Sequence, residues 1–254
     1  MPNTLEFRDL GEGIGDAAAV LRNNATAAGL DAAVPTCPGW TVRDLVTHQG
    51  LVHRWATATV RGVPARPDSD VEAEAAQASD LLEWLDDGLV DLLNALAAAP
   101  ADLDVPFFLL DAPAPRQAWT RRQCHETTIH AIDAMAAKLG RPPRPDELWF
   151  SPALARDGID ELLLGFAPRA TYNPRRPEPA EIAVRTDDGL GAWTVALGPD
   201  GCASRVGAAE DADAQITGTA RGVYAALWNR GRNRAIQGDA ALVQAFLDQL
   251  AITW

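Results

Sequence analysis

The amino-acid sequence predicts an α+β protein, with an N-terminal four-helix bundle followed by a small C-terminal α+β domain built on an antiparallel sheet. Three observations carry that prediction. The first 140 residues contain four long stretches of helical periodicity, separated by proline and glycine. The segment APRATYNPRRPEPAE is rich in proline and arginine and reads as a linker. Beyond it the apolar spacing shortens to the alternation expected of strands with one buried face. The expected boundaries are residues 1–166 for the bundle, 167–180 for the linker and 181–254 for the C-terminal domain.

Each element has its own signal. A first helix runs from about Leu5 to Ala28 and stops at Gly29. VPTCPGW then makes a turn, and Thr41 with Asp44 forms a capping box that opens a second helix through about Val60. RGVPARPDSD is a loop. A third helix from about Val71 to Ala98 carries Leu81, Leu82, Trp84, Leu85, Leu89, Leu92, Leu93 and Leu96, a density typical of a core helix. The fourth helix runs from about Ala118 to Leu139 and ends at Gly140, ahead of RPPRP. Four helices of this length predict a bundle. After a short helical segment near Pro152 to Gly165, the strands EIAVRT, AWTVAL and CASRV are joined by the hairpin sequences DDGLG and GPDG. A strand AQITGT leads into a helix from about Ala220 to Asn229, and Asp239 caps the final helix ALVQAFLDQL.

Composition narrows the function. A chain of 254 residues, 47% of them hydrophobic, can bury a substantial core. Its 22 basic and 35 acidic residues give a net charge of −13, which repels phosphate backbones and anionic lipid and argues against nucleic-acid or membrane partners. No stretch approaches the roughly 18 apolar residues of a membrane span, and MPNTLEFRDL lacks the character of a signal peptide. Cys37, Cys124 and Cys202 are spaced for neither a disulfide framework nor a metal knuckle and read as reduced thiols. The expectation is a cytoplasmic protein.

The histidines carry the chemistry. All four lie in two predicted helices, His48 and His53 in the second and His125 and His130 in the fourth. Residues five apart on a helix diverge by about 140°, so neither pair can share one ion. Glu126 and His130, four apart, project within about 40° of each other. That pair plus one histidine from a facing helix makes three ligands with a coordination position left open, the arrangement of a catalytic divalent-metal site. Periodicity leaves open which histidine of the second helix supplies the third ligand. Asp133, one turn beyond His130, is placed to orient a ligand imidazole.

The run VPTCPGWTVRDLVTHQGLVHRW, followed by RRQCHETTIHAIDA and later by ITGTARGVYAALWNRGRNRAIQGD, resembles the mycothiol-dependent maleylpyruvate isomerase family of the DinB-like metalloenzymes. The resemblance implies a DinB-like bundle holding a divalent metal, usually zinc, through His48, Glu126 and His130, with His53 and His125 as non-ligands. It also implies mycothiol as a thiol cosubstrate whose sulfur takes the open metal position as a thiolate. The reaction would be an isomerisation of an unsaturated acid, or an S-transfer to an electrophile. Ala131 and Ile132 depart from the basic or aromatic residue that often follows the fourth-helix histidine in that family, which bears on the substrate more than on the metal.

A substrate carboxylate needs a cation in an otherwise acidic protein. Arg230, within Arg221 to Arg234, matches an arginine of the family pattern and is the candidate catalytic anion-binding residue. Arg232 and Arg234 are its neighbours, while Arg121 and Arg122, near the start of the fourth helix, are a second candidate pair for which a surface position is expected. Trp40 is expected to staple the entrance of the second helix, and Trp55 and Trp84 to lie in the core. The competing reading is a non-catalytic metal-binding or regulatory protein of the same fold.

Overall fold

The computed structural model describes residues 5–250 except 111, 170–172 and 233. The chain divides into two compact units. The first comprises residues 6–107 and 112–143; the second is built mainly from residues 144 onward, with residues 108–111. The stretch 144–166, expected with the bundle, therefore clusters with the C-terminal unit, and the expected linker lies inside that unit.

The first unit holds helices α1 (Phe7–Ala28), α2 (Val42–Val60), α3 (Asp68–Gln77), α4 (Leu81–Ala98) and α5 (Pro115–Leu139). α1 packs mainly on α5, and α2 on α4 and α5. The capping box of α2 forms as the sequence predicts: the Thr41 side chain accepts from the Asp44 amide, and the Asp44 carboxylate accepts from the Thr41 amide at 2.8 Å. The single third helix expected from Val71 to Ala98 is instead two. Ala78 is extended (φ −62°, ψ 131°), and the Asp80 side chain accepts from the amides of Leu82 and Glu83. A side chain that bonds its own downstream amides starts a new helix rather than continuing an old one. Gly50 gives α2 room to meet Trp84 of α4, and Gly13 gives α1 room for the Cys124 thiol of α5. Trp55 and Trp119 meet edge to face at 5.0 Å.

In the second unit, α6 (Pro152–Asp160) runs on into a π-helical segment, Glu161–Phe166. Strands β1 (Ala180–Thr186), β2 (Ala192–Gly198), β3 (Gly201–Val206), β4 (Ala214–Gly218) and β5 (Ala235–Gly238) form one sheet in the order β3-β2-β1-β4-β5. Helices α7 (Ala220–Leu227) and α8 (Ala240–Gln249) complete it. The expected antiparallel sheet is mixed: β1 pairs in parallel with β4, and the other pairings are antiparallel. The connection after β3 brings β4 beside β1 rather than continuing the meander, a non-local pairing that turn sequences do not encode. The Trp193 indole donates to Asp160 Oδ1 at 2.7 Å, tying the sheet to α6. α7 packs on α6. Among the described residues no helix is long and apolar enough to cross a membrane.

Candidate metal centre

α5 is the chemically unusual helix. From Ala118 to Ala134 every residue is buried, including Arg121, Arg122, Gln123, His125, Glu126, Thr127, Thr128, His130 and Asp133. So many buried polar groups are stable only when they bond one another or a ligand.

The α2 and α5 helices bring three donors together. His130 Nε2 lies 3.2 Å from Glu126 Oε1, and His48 Nε2 lies 3.5 Å from that same oxygen. The two imidazole centroids are 4.9 Å apart at an interplanar angle of 74°. Among the described residues this is the one group of three or more His, Cys, Asp or Glu side chains able to share an ion, its donor atoms all within 4.8 Å of one another. Each group around the trio leaves a donor atom facing inward. Asp133 Oδ2 takes His130 Nδ1 at 3.0 Å, so Nε2 is the nitrogen that faces Glu126. Arg122 donates to Glu126 Oε2 at 2.7 Å, so Oε1 is the oxygen that faces the histidines. Two imidazole nitrogens and one carboxylate oxygen suit zinc or a similar divalent ion, with a fourth position to spare. The residues present fit the group.

The electrostatics agree. Burial alone would raise the Glu126 carboxyl, but the Arg122 guanidinium and the bonds from His130 and His48 hold it well below the usual carboxylate range. Burial lowers His48 below its ordinary value, favouring the neutral, ligating imidazole. Burial also opposes the charge on His130, but Asp133 and Glu126 outweigh it and raise the ring's proton affinity. The Trp40 ring closes one side of the trio, 5.1 Å from the His48 ring and 6.2 Å from the His130 ring, which it stacks at 19°.

Two family models match the chain: the mycothiol maleylpyruvate isomerase N-terminal domain over residues 12–135 and the corresponding C-terminal domain over residues 153–245. The chain belongs to the mycothiol-dependent maleylpyruvate isomerase family. Its fold matches a crystal structure of the mycothiol-dependent maleylpyruvate isomerase with a TM-score of 0.62 at 13% identity, covering 93% of this chain and 95% of the other. A histidine-to-alanine mutant of that isomerase matches with a TM-score of 0.63 at 11% identity and the same coverage. No curated protein matches significantly in sequence.

Of the predicted site residues, the structure brings His48, Glu126 and His130 together, and Asp133 meets His130 as its position on the helix suggests. Arg230 lies in the other unit, just past α7, where its Nη1 donates to the Trp228 carbonyl at 2.8 Å. His53 is buried elsewhere on α2, its Nε2 3.1 Å from Thr127 Oγ1, and His125 is fully buried outside the trio. One reading needs correction, one is extended and one residue was missed. Arg121 and Arg122 are buried, Arg122 at 1% exposure, because Glu126 one turn on supplies the partner that its guanidinium requires. Trp40 lies against the two imidazoles as well as at the helix entrance. Thr36, which the sequence did not single out, bonds Asp133; its partner is 97 positions away, and no local signal marks it.

Proposed function

We propose that this protein is a divalent-metal enzyme of the maleylpyruvate isomerase family that works on a small unsaturated or electrophilic acid with mycothiol as thiol cosubstrate. The observation that carries the reading is the convergence of His48, Glu126 and His130 on a buried polar helix of that family's fold. When bound there, a cation such as zinc supplies Lewis acidity, which lowers the pKa of a coordinated thiol.

The chain's own residues do the rest. His48, Glu126 and His130 would hold the ion, three ligands that leave room for a sulfur donor. Arg122 balances the Glu126 charge inside the protein, and Asp133 fixes the His130 ring. Trp40 covers the imidazoles and keeps water from that side. Arg230 is the proposed partner for a substrate carboxylate. An activated thiol would serve cis/trans isomerisation, in which it adds, the new single bond rotates and elimination returns the trans acid, or S-transfer, in which it stays on the product. The protein is proposed to work in the cytoplasm.

The test has two steps. Elemental analysis of purified protein is expected to find about one zinc or similar ion per chain, retained by the wild type and lost in His48→Ala. Incubation with mycothiol and maleylpyruvate, followed by absorbance or chromatography for fumarylpyruvate, then separates the reactions. Turnover supports the isomerase. Consumption of thiol with an electrophile but no isomerisation supports transfer. A metal-loaded protein inert in both assays refutes the catalytic reading and leaves a metal-binding protein.

A further inference from the structure

The Thr36 hydroxyl lies 2.6 Å from Asp133 Oδ1, and the other oxygen of the same carboxylate, Oδ2, lies 3.0 Å from His130 Nδ1. A carboxylate oxygen accepts, so the hydroxyl is the donor of the first bond. Thr36 sits in the turn between α1 and α2, which is held shut by Val34 N–H to the Trp40 carbonyl at 2.9 Å and Trp40 N–H to the Cys37 carbonyl at 3.0 Å. The same turn carries Trp40 onto both imidazoles. The loop therefore reaches the centre twice, directly through the Trp40 ring on both imidazoles and indirectly through the Thr36 hydroxyl on Asp133, which bonds His130.

We propose that Thr36 is a positioning residue for the metal centre, acting through Asp133 on His130. The inference rests on the metal reading above. Asp133 is fully buried, and its carboxylate can turn about Cβ–Cγ unless both oxygens are held. The Thr36 hydroxyl fixes Oδ1, which leaves Oδ2 aimed at Nδ1–H of His130. That bond sets the tautomer and tilt of the ring and directs the Nε2 lone pair to the ion. The loop between α1 and α2 thereby fixes the geometry of a ligand on α5.

Partners of this kind are worth about 10- to 100-fold in metal affinity when removed, and Thr36, acting one bond further out, is expected at about tenfold. The experiment measures the zinc dissociation constant by competition with a chromogenic chelator, and the ligand-field spectrum of the cobalt(II)-loaded protein. Thr36→Val is expected to weaken zinc about tenfold and to shift the cobalt bands, while Thr36→Ser, which keeps the hydroxyl, stays close to wild type. In an Asp133→Asn background, Thr36→Val is expected to cost nothing further, because the path it acts through is already broken. Equal zinc affinity and identical cobalt spectra for wild type and Thr36→Val overturn the inference. So does a Thr36→Ser protein that loses zinc as Thr36→Val does, or a Thr36→Val effect that persists undiminished beside Asp133→Asn. Failure of the wild-type protein to bind zinc or cobalt overturns the metal reading and this inference with it.

Discussion

His48 and His53 lie five residues apart on one helix, and the structure gives them different surroundings: His48 faces Glu126 and His53 faces Thr127. His53 is 1% exposed, and its Nε2 faces the Thr127 hydroxyl at 3.1 Å. That hydroxyl already donates to the Gln123 carbonyl at 2.8 Å, so its oxygen accepts from His53 Nε2–H. The ring thus donates through Nε2, while the buried Nδ1 has no acceptor for a second proton among the described residues. Burial pushes its pKa from the ordinary 6.5 down to about 3, against the opposing pull of the Glu126 charge. Because the folded pKa is depressed, the unfolded chain binds the extra proton first, so the stabilisation is fully present above pH 6.5 and is lost as pH falls toward 3. Between pH 7.5 and 5.0 this one residue contributes a loss of about 2 kcal/mol, equivalent to roughly 4–8 °C in melting temperature for a chain of this size. His53→Gln keeps a donor for Thr127 but cannot titrate. Melting wild type and variant at both pH values, with a chelator present so that metal occupancy does not contribute, is expected to show a shallower acid loss in the variant by about that amount. Parallel pH slopes would refute the reasoning, and loss of zinc binding by His53→Gln would count against the proposed ligand set, which leaves His53 out.

Three further outcomes test the packing and charge around the trio. His48→Ala is expected to abolish zinc binding and turnover with little change in circular dichroism; a variant that keeps its metal removes His48 from the ligand set. In metal-free protein, with a chelator present, Arg122→Met leaves Glu126 buried without its arginine and is expected to destabilise by about 3–5 kcal/mol in urea titration at neutral pH, with Glu126→Gln in the same chain recovering much of the loss. The depressed Glu126 pKa contributes stability that is present above its unfolded value and lost on acidification, so the Arg122→Met protein should also show a weaker acid dependence there. Gly50→Ala would place a methyl inside the ring of Trp84, which is held by its indole bond to Glu74 Oε1 at 2.8 Å and by the Arg54 guanidinium 3.7 Å above it. Overpacking costs about 1–3 kcal/mol against a helix-propensity gain of at most about 1, so net destabilisation is expected; a neutral or stabilised variant shows that the ring can move.

The legible parts of this protein were those whose causes are local. The α2 capping box, the stops at Gly29 and Gly140 and the hairpin glycines all act within a few residues, and each appears where the sequence places it. The break between α3 and α4 was missed because every leucine of the expected helix lies from Leu81 onward, so the stripe carries no register information for residues 71–80, where the Asp80 cap starts a new helix. β5 was missed for a different reason: it is four residues long and largely exposed, with no alternation to read. Helical spacing placed Glu126 and His130 on one face, yet left His48 and His53 equivalent, since both flank the apolar stripe of α2.

The sequence by itself determined the two-part α+β plan, the acidic surface and the restriction of every histidine to two helices, because composition and periodicity are properties of the chain read in order. Only the tertiary structure decided that β4 runs parallel to β1, that Arg122 is a buried counterion, and that Thr36 reaches Asp133 across 97 positions. Those outcomes depend on which surfaces meet. A buried charge or a bent carboxylate acquires its partner from whatever packing brings within about 3 Å, and that distance is set by the fold rather than by any spacing along the chain.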